Sequence, residues 1–321
     1  MLTHTPMVTN GGRGMANYLV LGVRSIEISV SHLDRATAFY TDVWNLHLQQ
    51  SAPHARYLRG TGRYHHILGL HTGPTPMLER VVFDVADRDR LEALLRAVTQ
   101  AKAGPVEPIG ELALPGGGFG FGCKDVEGRN FAFVTGVADH AGGNTNVPDR
   151  PRKVSHVNLN CADHAATSAF FTEVLAFTMS DDTDHLRFMK CGNTDHHSIV
   201  LAREPSPTLN HIAFEMPDLD SVMRGAGRMK DAGYPIEWGV GRHGAGNNVF
   251  AYFAGPDEFP LEYTAEVMQV DDSYVVHGPD YWRFPPGRSD QWGVTGPRSA
   301  RLLRLWTMFR FSEDGWKLPK T

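Results

Sequence analysis

The chain carries an internal duplication, and this repeat constrains its fold more than any other feature of the sequence. Residues 25–89 align without a gap with residues 156–220, and 15 of the aligned positions are identical. The identities cluster in three segments: Ala38–Val43 with Ala169–Val174, His65-His66 with His196-His197, and Pro74–Leu78 with Pro205–Leu209. A repeat of this length corresponds to a whole structural unit, so the chain is predicted to fold as two similar halves.

Each half shows the same succession of hydrophobic patterns. A short alternating strand leads into a helix with paired aromatic residues, and strands rich in Leu, Ile, Val and Phe follow with a second helix between them. Asp87 and Asp218 stand where these second helices are expected to begin, and Asp is a preferred N-cap residue. We therefore predict an α+β fold of two homologous domains. The predicted divisions are a flexible leader at 1–21, a first domain at 22–138, a Gly-, Asn-, Asp- and Pro-rich linker at 139–152, a second domain at 153–268, and a tail at 269–321 without a counterpart in the first half.

The composition excludes several kinds of partner. The 36 Asp and Glu residues outnumber the 31 Lys and Arg residues, which gives a net charge of −5 and argues against a nucleic-acid surface. No apolar run approaches the roughly 20 residues that a membrane span requires. The 3 Cys residues form no Cys-x-x-Cys motif, so disulfides are not expected and a cytoplasmic location is predicted. The 16 His residues are many for this length, and histidine is both a common metal ligand and a common proton carrier.

The two halves differ at three positions in a way that indicates a metal site. His156, His211 and Glu262 of the second half align with Ser25, Arg80 and Ala132 of the first. Two imidazoles and one carboxylate form a ligand set that divalent metal ions accept. A lone strand histidine is more often a hydrogen-bonded structural residue than a ligand. Three matched positions that change together argue against that explanation, and the first half is then expected to be metal-free.

Side-chain alternation places the three candidate ligands on one face of their strands. Successive side chains of a strand point to opposite faces of the sheet. The apolar faces are formed by Val157 and Leu159, by Ile212 and Phe214, and by Leu261 and Tyr263. His156, His211 and Glu262 therefore point away from the core, and a curved sheet would bring them together.

The residues around these positions resemble the type I extradiol ring-cleavage dioxygenases (catechol 2,3-dioxygenases) of the vicinal oxygen chelate superfamily. The resemblance covers about residues 22–268 and rests on Val-Ser-His-Val-Asn around His156, Leu-Asn-His-Ile-Ala-Phe-Glu around His211, and Pro-Leu-Glu-Tyr around Glu262. It implies that each domain consists of two β-α-β-β-β modules with curved mixed sheets. It also implies Fe(II), with Mn(II) as the alternative, held by the two histidines and the glutamate of the second domain.

The same resemblance implies roles for three further residues of the second half. His197 would be the acid–base histidine, His243 would bind the substrate, and Tyr252 would be a catalytic tyrosine that also contacts the substrate. The His65-His66 pair repeats His196-His197 in the half without a metal site. We therefore expect His196 to be structural and assign the catalytic role to His197, because the chemistry needs a base near the metal.

The reaction that the resemblance implies is the cleavage of a catechol-type aromatic diol by O₂ beside its two hydroxyl groups. The product would be a ring-opened semialdehyde, formed in aromatic compound degradation. Asn158, on the same strand face as His156, is a candidate for orienting a ligand or contacting the substrate, although an ordinary strand asparagine explains it equally well. Arg288 is a candidate contact for an anionic substituent, because relatives that act on carboxylated catechols have a similar tail. Packing of the tail on a neighbouring subunit is the alternative, and a homo-oligomer is expected because family members usually assemble.

Two other functions remain open. Another vicinal oxygen chelate metalloenzyme, of the isomerase or lyase type, would transfer protons without O₂. Such enzymes usually need a carboxylate base, and the combination of His197, His243 and Tyr252 disfavours them. A non-enzymatic binding protein of the same fold would normally lack the three candidate metal ligands.

Overall fold

The computed structural model describes residues 18–142 and 147–321, and these residues form two eight-stranded mixed β-sheets. The first sheet contains β1 (Val20–Val30), β2 (His47–Ala52), β3 (Ala55–Arg59), β4 (Leu68–Thr72), β5 (Met77–Val85), β6 (Gly110–Glu111), β7 (Phe119–Lys124) and β8 (Asn130–Thr135). Its strands are hydrogen-bonded in the order β2-β3-β4-β1-β5-β8-β7-β6. Most of the predicted leader and residues 143–146 of the predicted linker lie outside the described residues.

The second sheet repeats this arrangement strand for strand. It contains β9 (Val154–Cys161), β10 (Thr178–Asp182), β11 (Leu186–Lys190), β12 (Ile199–Arg203), β13 (Leu209–Glu215), β14 (Trp238–Arg242), β15 (Val249–Ala254) and β16 (Pro260–Ala265). Their order is β10-β11-β12-β9-β13-β16-β15-β14. The predicted α+β fold of two homologous domains with β-α-β-β-β modules and mixed sheets is confirmed.

Each module has one helix between its first and second strands. The helices are α1 (Leu33–Ala38), α2 (Arg88–Ala101), α3 (His164–Ala169) and α4 (Leu219–Asp231). The side chains of Asp87 and Asp218 accept the backbone N–H groups of Arg90 and Ser221, so both residues cap α2 and α4 as predicted. The paired aromatics stand in π-helical turns that continue α1 and α3, where they are buried against the sheets.

The two His-His pairs do not lie on strands. The pairs are His65-His66 and His196-His197, and the strands after them, β4 and β12, begin at Leu68 and Ile199. Both pairs occupy the loop before the strand, where the backbone no longer alternates and consecutive rings turn toward each other. In each pair the two Nδ1 atoms are 3.1 Å apart.

The halves are joined by a buried arginine and by an aromatic stack. Arg129 of the first half pairs with Asp125 at 2.6 Å, and both side chains are almost fully buried. Its remaining N–H groups cross to the second half, where they donate to the backbone oxygen of Asn160 and to the Thr167 hydroxyl. Trp44 of the first half stacks on Tyr263 of the second, with ring centroids 3.7 Å apart.

The tail runs from the second half back to the first. It contains one short helix, α5 (Ala300–Leu305). Backbone hydrogen bonds join it first to Leu209 and then to Leu78, through the carbonyl groups of Phe309 and Arg310. The tail therefore packs within its own chain. Among the described residues, no helix is long and apolar enough to cross a membrane.

Replacing Arg129 with methionine should destabilise the chain strongly. The change removes the cation while Asp125 stays buried, and breaking a buried pair costs about 3–5 kcal/mol. Urea denaturation followed by circular dichroism measures the loss. Arg88→Met is the control, because the Arg88–Glu92 pair is on the surface and should contribute less than about 1 kcal/mol. Equal stabilities of the two variants would contradict the role given to Arg129.

Candidate metal centre and its cavity

The three candidate ligands lie on neighbouring strands in the middle of the second sheet. β13 pairs with β9 on one side and with β16 on the other, and Ala213 stands opposite both His156 and Glu262. His211 is two residues before Ala213, so its side chain leaves the same face of β13. The structure therefore brings these three side chains to one point.

The distances within this cluster fit a metal ion. Nε2 of His156 is 3.2 Å from Nε2 of His211, and Oε2 of Glu262 is 3.4 Å and 3.0 Å from the two nitrogens, respectively. Imidazole nitrogen and carboxylate oxygen bind such an ion at about 2.0–2.2 Å, so two ligands at right angles are about 3 Å apart. Within residues 18–142 and 147–321, no other group of three or more His, Cys, Asp or Glu residues is arranged to hold a metal ion.

The burial of Glu262 also fits a bound cation. The residue is fully buried, and neither carboxylate oxygen has a well-oriented hydrogen-bond partner in the described part of the chain. Burial alone would raise the pKa of Glu262, but the neighbouring His156 and His211 hold it well below its usual range. A buried anion needs a positive partner, and this donor set is one that divalent metal ions accept.

Asn210 fixes the tautomer of His211. Nδ1 of His211 lies 2.8 Å from the side-chain oxygen of Asn210, which can only accept, so Nδ1 carries the proton. Nε2 therefore presents its lone pair to the cluster, and burial lowers the pKa of this imidazole. Asn210 in turn donates to the side-chain oxygen of Asn160 at 3.0 Å. Asn210 was not predicted from the sequence, because strand alternation would turn its side chain away from that of His211.

His197 lies beside the cluster, with its ring centroid 4.5 Å from that of His156. Burial and the neighbouring histidines lower the pKa of His197 well below its usual value. Nδ1 of His197 faces Nδ1 of His196, and Nε2 of His196 is 2.8 Å from a carboxylate oxygen of Asp181. Because that carboxylate accepts the Nε2–H of His196, the Nδ1 of a neutral His196 accepts the N–H of His197. Nε2 of His197 is then the unprotonated nitrogen of the ring.

The carboxylate of Asp181 is held in place by the tail. The hydroxyl of Tyr274 donates to it at 3.0 Å, and the backbone N–H of His277 donates at 2.8 Å. His196, expected to be structural, therefore connects His197 to a fully buried acid. Asp181 itself was not predicted, because it lies on β10 and comes near the pair only through the folding of the sheet.

His243 and Tyr252 lie on another side of the cluster. Nε2 of His243 is 3.1 Å from the hydroxyl oxygen of Tyr252, and the tyrosine ring is 5.0 Å from that of His211. Burial lowers the pKa of His243 to about 3 and raises the pKa of Tyr252 well above its usual value. Both groups are therefore uncharged near neutral pH, and they act as hydrogen-bonding groups.

A cavity of about 530 Å³ opens over the cluster. Its apolar walls come from the second sheet and from the tail: Phe188, Val200, Trp238, Ala245, Trp282, Phe284, Leu303 and Trp306. Asn158 also lines the cavity, and its side-chain oxygen is buried without a hydrogen-bond partner among the described residues. Apolar walls with a few convergent polar groups are typical of a site for a small organic molecule.

Two arginines of the tail line the cavity. The guanidinium of Arg288 donates to a backbone carbonyl in its own turn. Arg298 lies over the ring of Trp238 at 4.2 Å, and its charge influences the pKa values of both His243 and Tyr252. Arg288 is the candidate predicted from the sequence. Arg298 was not predicted, because its neighbours come together only in the folded chain.

Asn210→Ala should weaken metal binding by about tenfold to a hundredfold, because the tautomer and orientation of His211 depend on it. Competition with a chromophoric chelator measures the affinity. Glu79, which aligns with Asn210 in the first half, provides the matched control, and Glu79→Ala should bind metal normally. Wild-type affinity in Asn210→Ala would show that His211 does not ligate, or does not need this partner.

The comparisons with known proteins agree with the fold. The sequence matches the Glyoxalase/Bleomycin resistance protein/Dioxygenase superfamily over residues 22–133 and 153–263. The chain is similar to metapyrocatechase 2 from Cupriavidus necator, with 33% identity over 40% of this chain and 45% of that protein. It is also similar to 3-methylcatechol 2,3-dioxygenase from Pseudomonas putida, with 29% identity over 49% of this chain and 54% of that protein. The chain thus spans about half the length of these curated relatives.

Two solved structures match nearly the whole fold. The Mn(II)-bound glyoxalase from Novosphingobium aromaticivorans is 34% identical, with a TM-score of 0.81 over 88% of this chain and 93% of that one. Homoprotocatechuate 2,3-dioxygenase from B. fuscum is 22% identical, with a TM-score of 0.82 over 92% of this chain and 84% of that one, which is a likeness of fold. The predicted superfamily is confirmed: this chain belongs to the Glyoxalase/Bleomycin resistance protein/Dioxygenase superfamily.

Proposed function

We propose that the chain is a non-haem Fe(II)-dependent extradiol dioxygenase, which cleaves a catechol-type diol with O₂ beside its hydroxyl groups to give a ring-opened semialdehyde. The observation that carries this proposal is the buried cluster of His156, His211 and Glu262, whose two histidines line a cavity with apolar walls. The curated relatives named as catechol dioxygenases support it. Aromatic compound degradation is the corresponding biological role.

In the proposed mechanism, some residues hold the metal ion and others bind the substrate. His156, His211 and Glu262 would hold the metal ion, and Fe(II), when bound there, supplies open positions for the diol and O₂ and makes a hydroxyl group easier to ionise. Tyr252 and His243, which are hydrogen-bonded to each other, would hydrogen-bond the substrate oxygen. Asn158, whose side-chain oxygen is free, would contact the substrate from β9.

His197 would move the proton. Its Nε2, left unprotonated by the contacts to His196 and Asp181, accepts a proton from a substrate hydroxyl. It returns that proton to an oxygen of the opening ring, so His197 ends the reaction as it began. Asp181 and His196 are positioning residues in this scheme, because they hold His197 in the tautomer that can accept.

Iron is the metal that we propose, with Mn(II) as the alternative. Two histidines and one carboxylate with open positions are the ligand set of non-haem Fe(II) oxygenases. A relative from Rhodococcus jostii, 27% identical over 37% of this chain, is named an iron-dependent extradiol dioxygenase. The Mn(II)-bound glyoxalase keeps Mn(II) as the alternative.

That glyoxalase also keeps a second function open, an isomerase or lyase reaction without O₂. Such a reaction usually needs a carboxylate base besides the metal ligands. Among the described residues that line the cavity, the only carboxylate is Glu204, whose Oε1 lies 3.6 Å from Nε2 of His185. The groups around the cluster are instead histidines and a tyrosine, so we rank the dioxygenase first. A binding protein without catalysis is third, because it has no need of the metal ligands.

A cytoplasmic location and homo-oligomeric assembly stay predictions. Three free, buried cysteines, Cys123, Cys161 and Cys191, support a reducing compartment. Size-exclusion chromatography with light scattering measures the assembly state.

Oxygen uptake tests the proposed reaction. Protein reconstituted anaerobically with ferrous iron should consume O₂ and turn a catechol yellow when air is admitted. His156→Ala should lose both metal and activity, whereas Ser25→Ala, its aligned position, should lose neither. Iron-loaded protein without O₂ uptake across a panel of catechols would refute the proposal, and isomerisation of a hemithioacetal would favour the second function.

Asp181→Asn should lower kcat by about 10²–10⁴-fold, the usual contribution of general acid–base catalysis. Metal content should not change, because Asp181 touches none of the candidate ligands. Loss of the negative charge of Asp181 makes the protonated form of His197 less stable. The acid limb of the pH–rate profile should therefore move to lower pH. Asp182→Asn, on the same strand and paired with Arg187, is the control. An unchanged pH–rate profile in Asp181→Asn would show that Asp181 does not position His197.

Arg298→Gln should raise KM for carboxylated catechols by about tenfold, because a charge-assisted hydrogen bond is lost. Unsubstituted catechol should be handled normally. Arg288→Gln, examined in parallel, tests the arginine that the sequence singled out. Steady-state kinetics with a matched pair of substrates measures both, and the arginine whose loss selectively affects the carboxylated catechol is the anion contact.

A further inference from the structure

The first half contains a second cavity at the position that corresponds to the metal centre. Its volume is about 250 Å³. It is lined by Ser25 and Arg80, which align with His156 and His211 of the metal-binding half. Nothing in the proposed reaction uses this cavity.

The carboxylate of Glu27, which lines this cavity, already has hydrogen-bond partners on both oxygens. Glu27 lies 3.2 Å from Nε2 of His66 and 2.6 Å from Nε2 of His71, and it accepts the hydroxyl of Ser25 at 3.1 Å. Burial alone would raise the pKa of Glu27, but the hydrogen bonds from the two histidines hold it well below its usual range. Glu27 is therefore a satisfied anion with no need of a metal ion.

Arg80 is the polar group that remains unsatisfied. It stands directly opposite Glu27 in the pairing of β1 with β5, yet no ion pair joins them, since the histidines occupy the carboxylate. Within the described residues, Arg80 has no carboxylate partner, and its Nε is buried without an acceptor. The other arginine of the cavity, Arg24, is paired with Asp84 at 3.3 Å. A buried donor without an acceptor costs free energy that a bound anion would recover.

The rest of the cavity is suited to an apolar body. Its walls are supplied by Val82, Leu112, Leu114, Val134 and Val137 of the first half and by Leu318 and Pro319 of the tail. Tyr57 also lines it, and the charge of Arg80 influences the pKa of that hydroxyl. Glu27 contacts both His66 and His71, and Arg24 is paired with Asp84. Arg80, the Tyr57 hydroxyl and the apolar walls are left, and they match a small molecule with a single carboxylate at one end.

We propose that this cavity binds a small organic monocarboxylate, with its carboxylate on the Arg80 guanidinium and its apolar part against Leu112 and Leu318. The first half thus holds a fixed cation where the second half can hold a metal ion. This site is separate from the proposed ring cleavage and does not depend on it.

Titration calorimetry on the full-length, ferrous-loaded protein under argon tests the proposal, with benzoate as the anionic probe and benzamide as its neutral isostere. Benzoate should bind at least tenfold more tightly than benzamide. Arg80→Gln should weaken benzoate binding by about tenfold to a hundredfold. Leu318→Trp, which fills the cavity from the tail, should abolish it, so the result does not depend on one variant.

Arg298→Gln is the matched control, because Arg298 lines the other cavity and should not matter for this site. Unchanged benzoate affinity in Arg80→Gln, a loss in Arg298→Gln instead, or no binding at millimolar benzoate would each overturn the proposal. Because the readout is binding rather than turnover, failure of the dioxygenase proposal would leave this test intact.

Discussion

The position of β13 between β9 and β16 is the constraint on which the candidate site depends. β13 runs antiparallel to β9 and parallel to β16. Ala213 of β13 is paired with His156 in the first of these and with Glu262 in the second. Two histidine nitrogens and a carboxylate oxygen thus meet in the interior, with Asn210 orienting one of the nitrogens. Such a cluster of lone pairs is unfavourable in a buried environment unless a cation joins it. The pairing that builds the sheet therefore also assembles the proposed metal site.

The sequence was informative where a local rule decides the structure. The repeat predicted two equivalent domains, the aspartate caps predicted the starts of α2 and α4, and the alternation of β-strands predicted that His156, His211 and Glu262 share a face. These inferences use only neighbours in the chain or between the aligned halves. The fold is predictable from such rules because both halves obey them independently.

The sequence was uninformative where contacts come from distant segments. Asp181 contacts His196 only because β10 and the loop before β12 lie together. The charge of Arg298 acts on His243 only because the tail packs against the second sheet. The contact between the two rings of each His-His pair also lies outside such rules, because strand alternation turns consecutive side chains to opposite faces. When the role of a residue depends on a contact with a distant segment, that role can be recognised only in the folded structure.

The two halves share a fold because of the duplication, but they carry different charged residues at aligned positions. Both keep a His-His pair beside the central strands. In the first half Glu27 contacts His66, whereas in the second half Asn158 stands at the aligned position and His197 contacts His196. In the first half the positive charge belongs to the side chain of Arg80. In the second half it would come from the proposed metal ion. The tail closes both cavities, with Trp306 over one and Leu318 over the other. A segment absent from the repeat thus contributes walls to both cavities, one proposed to hold a metal ion and the other an organic anion.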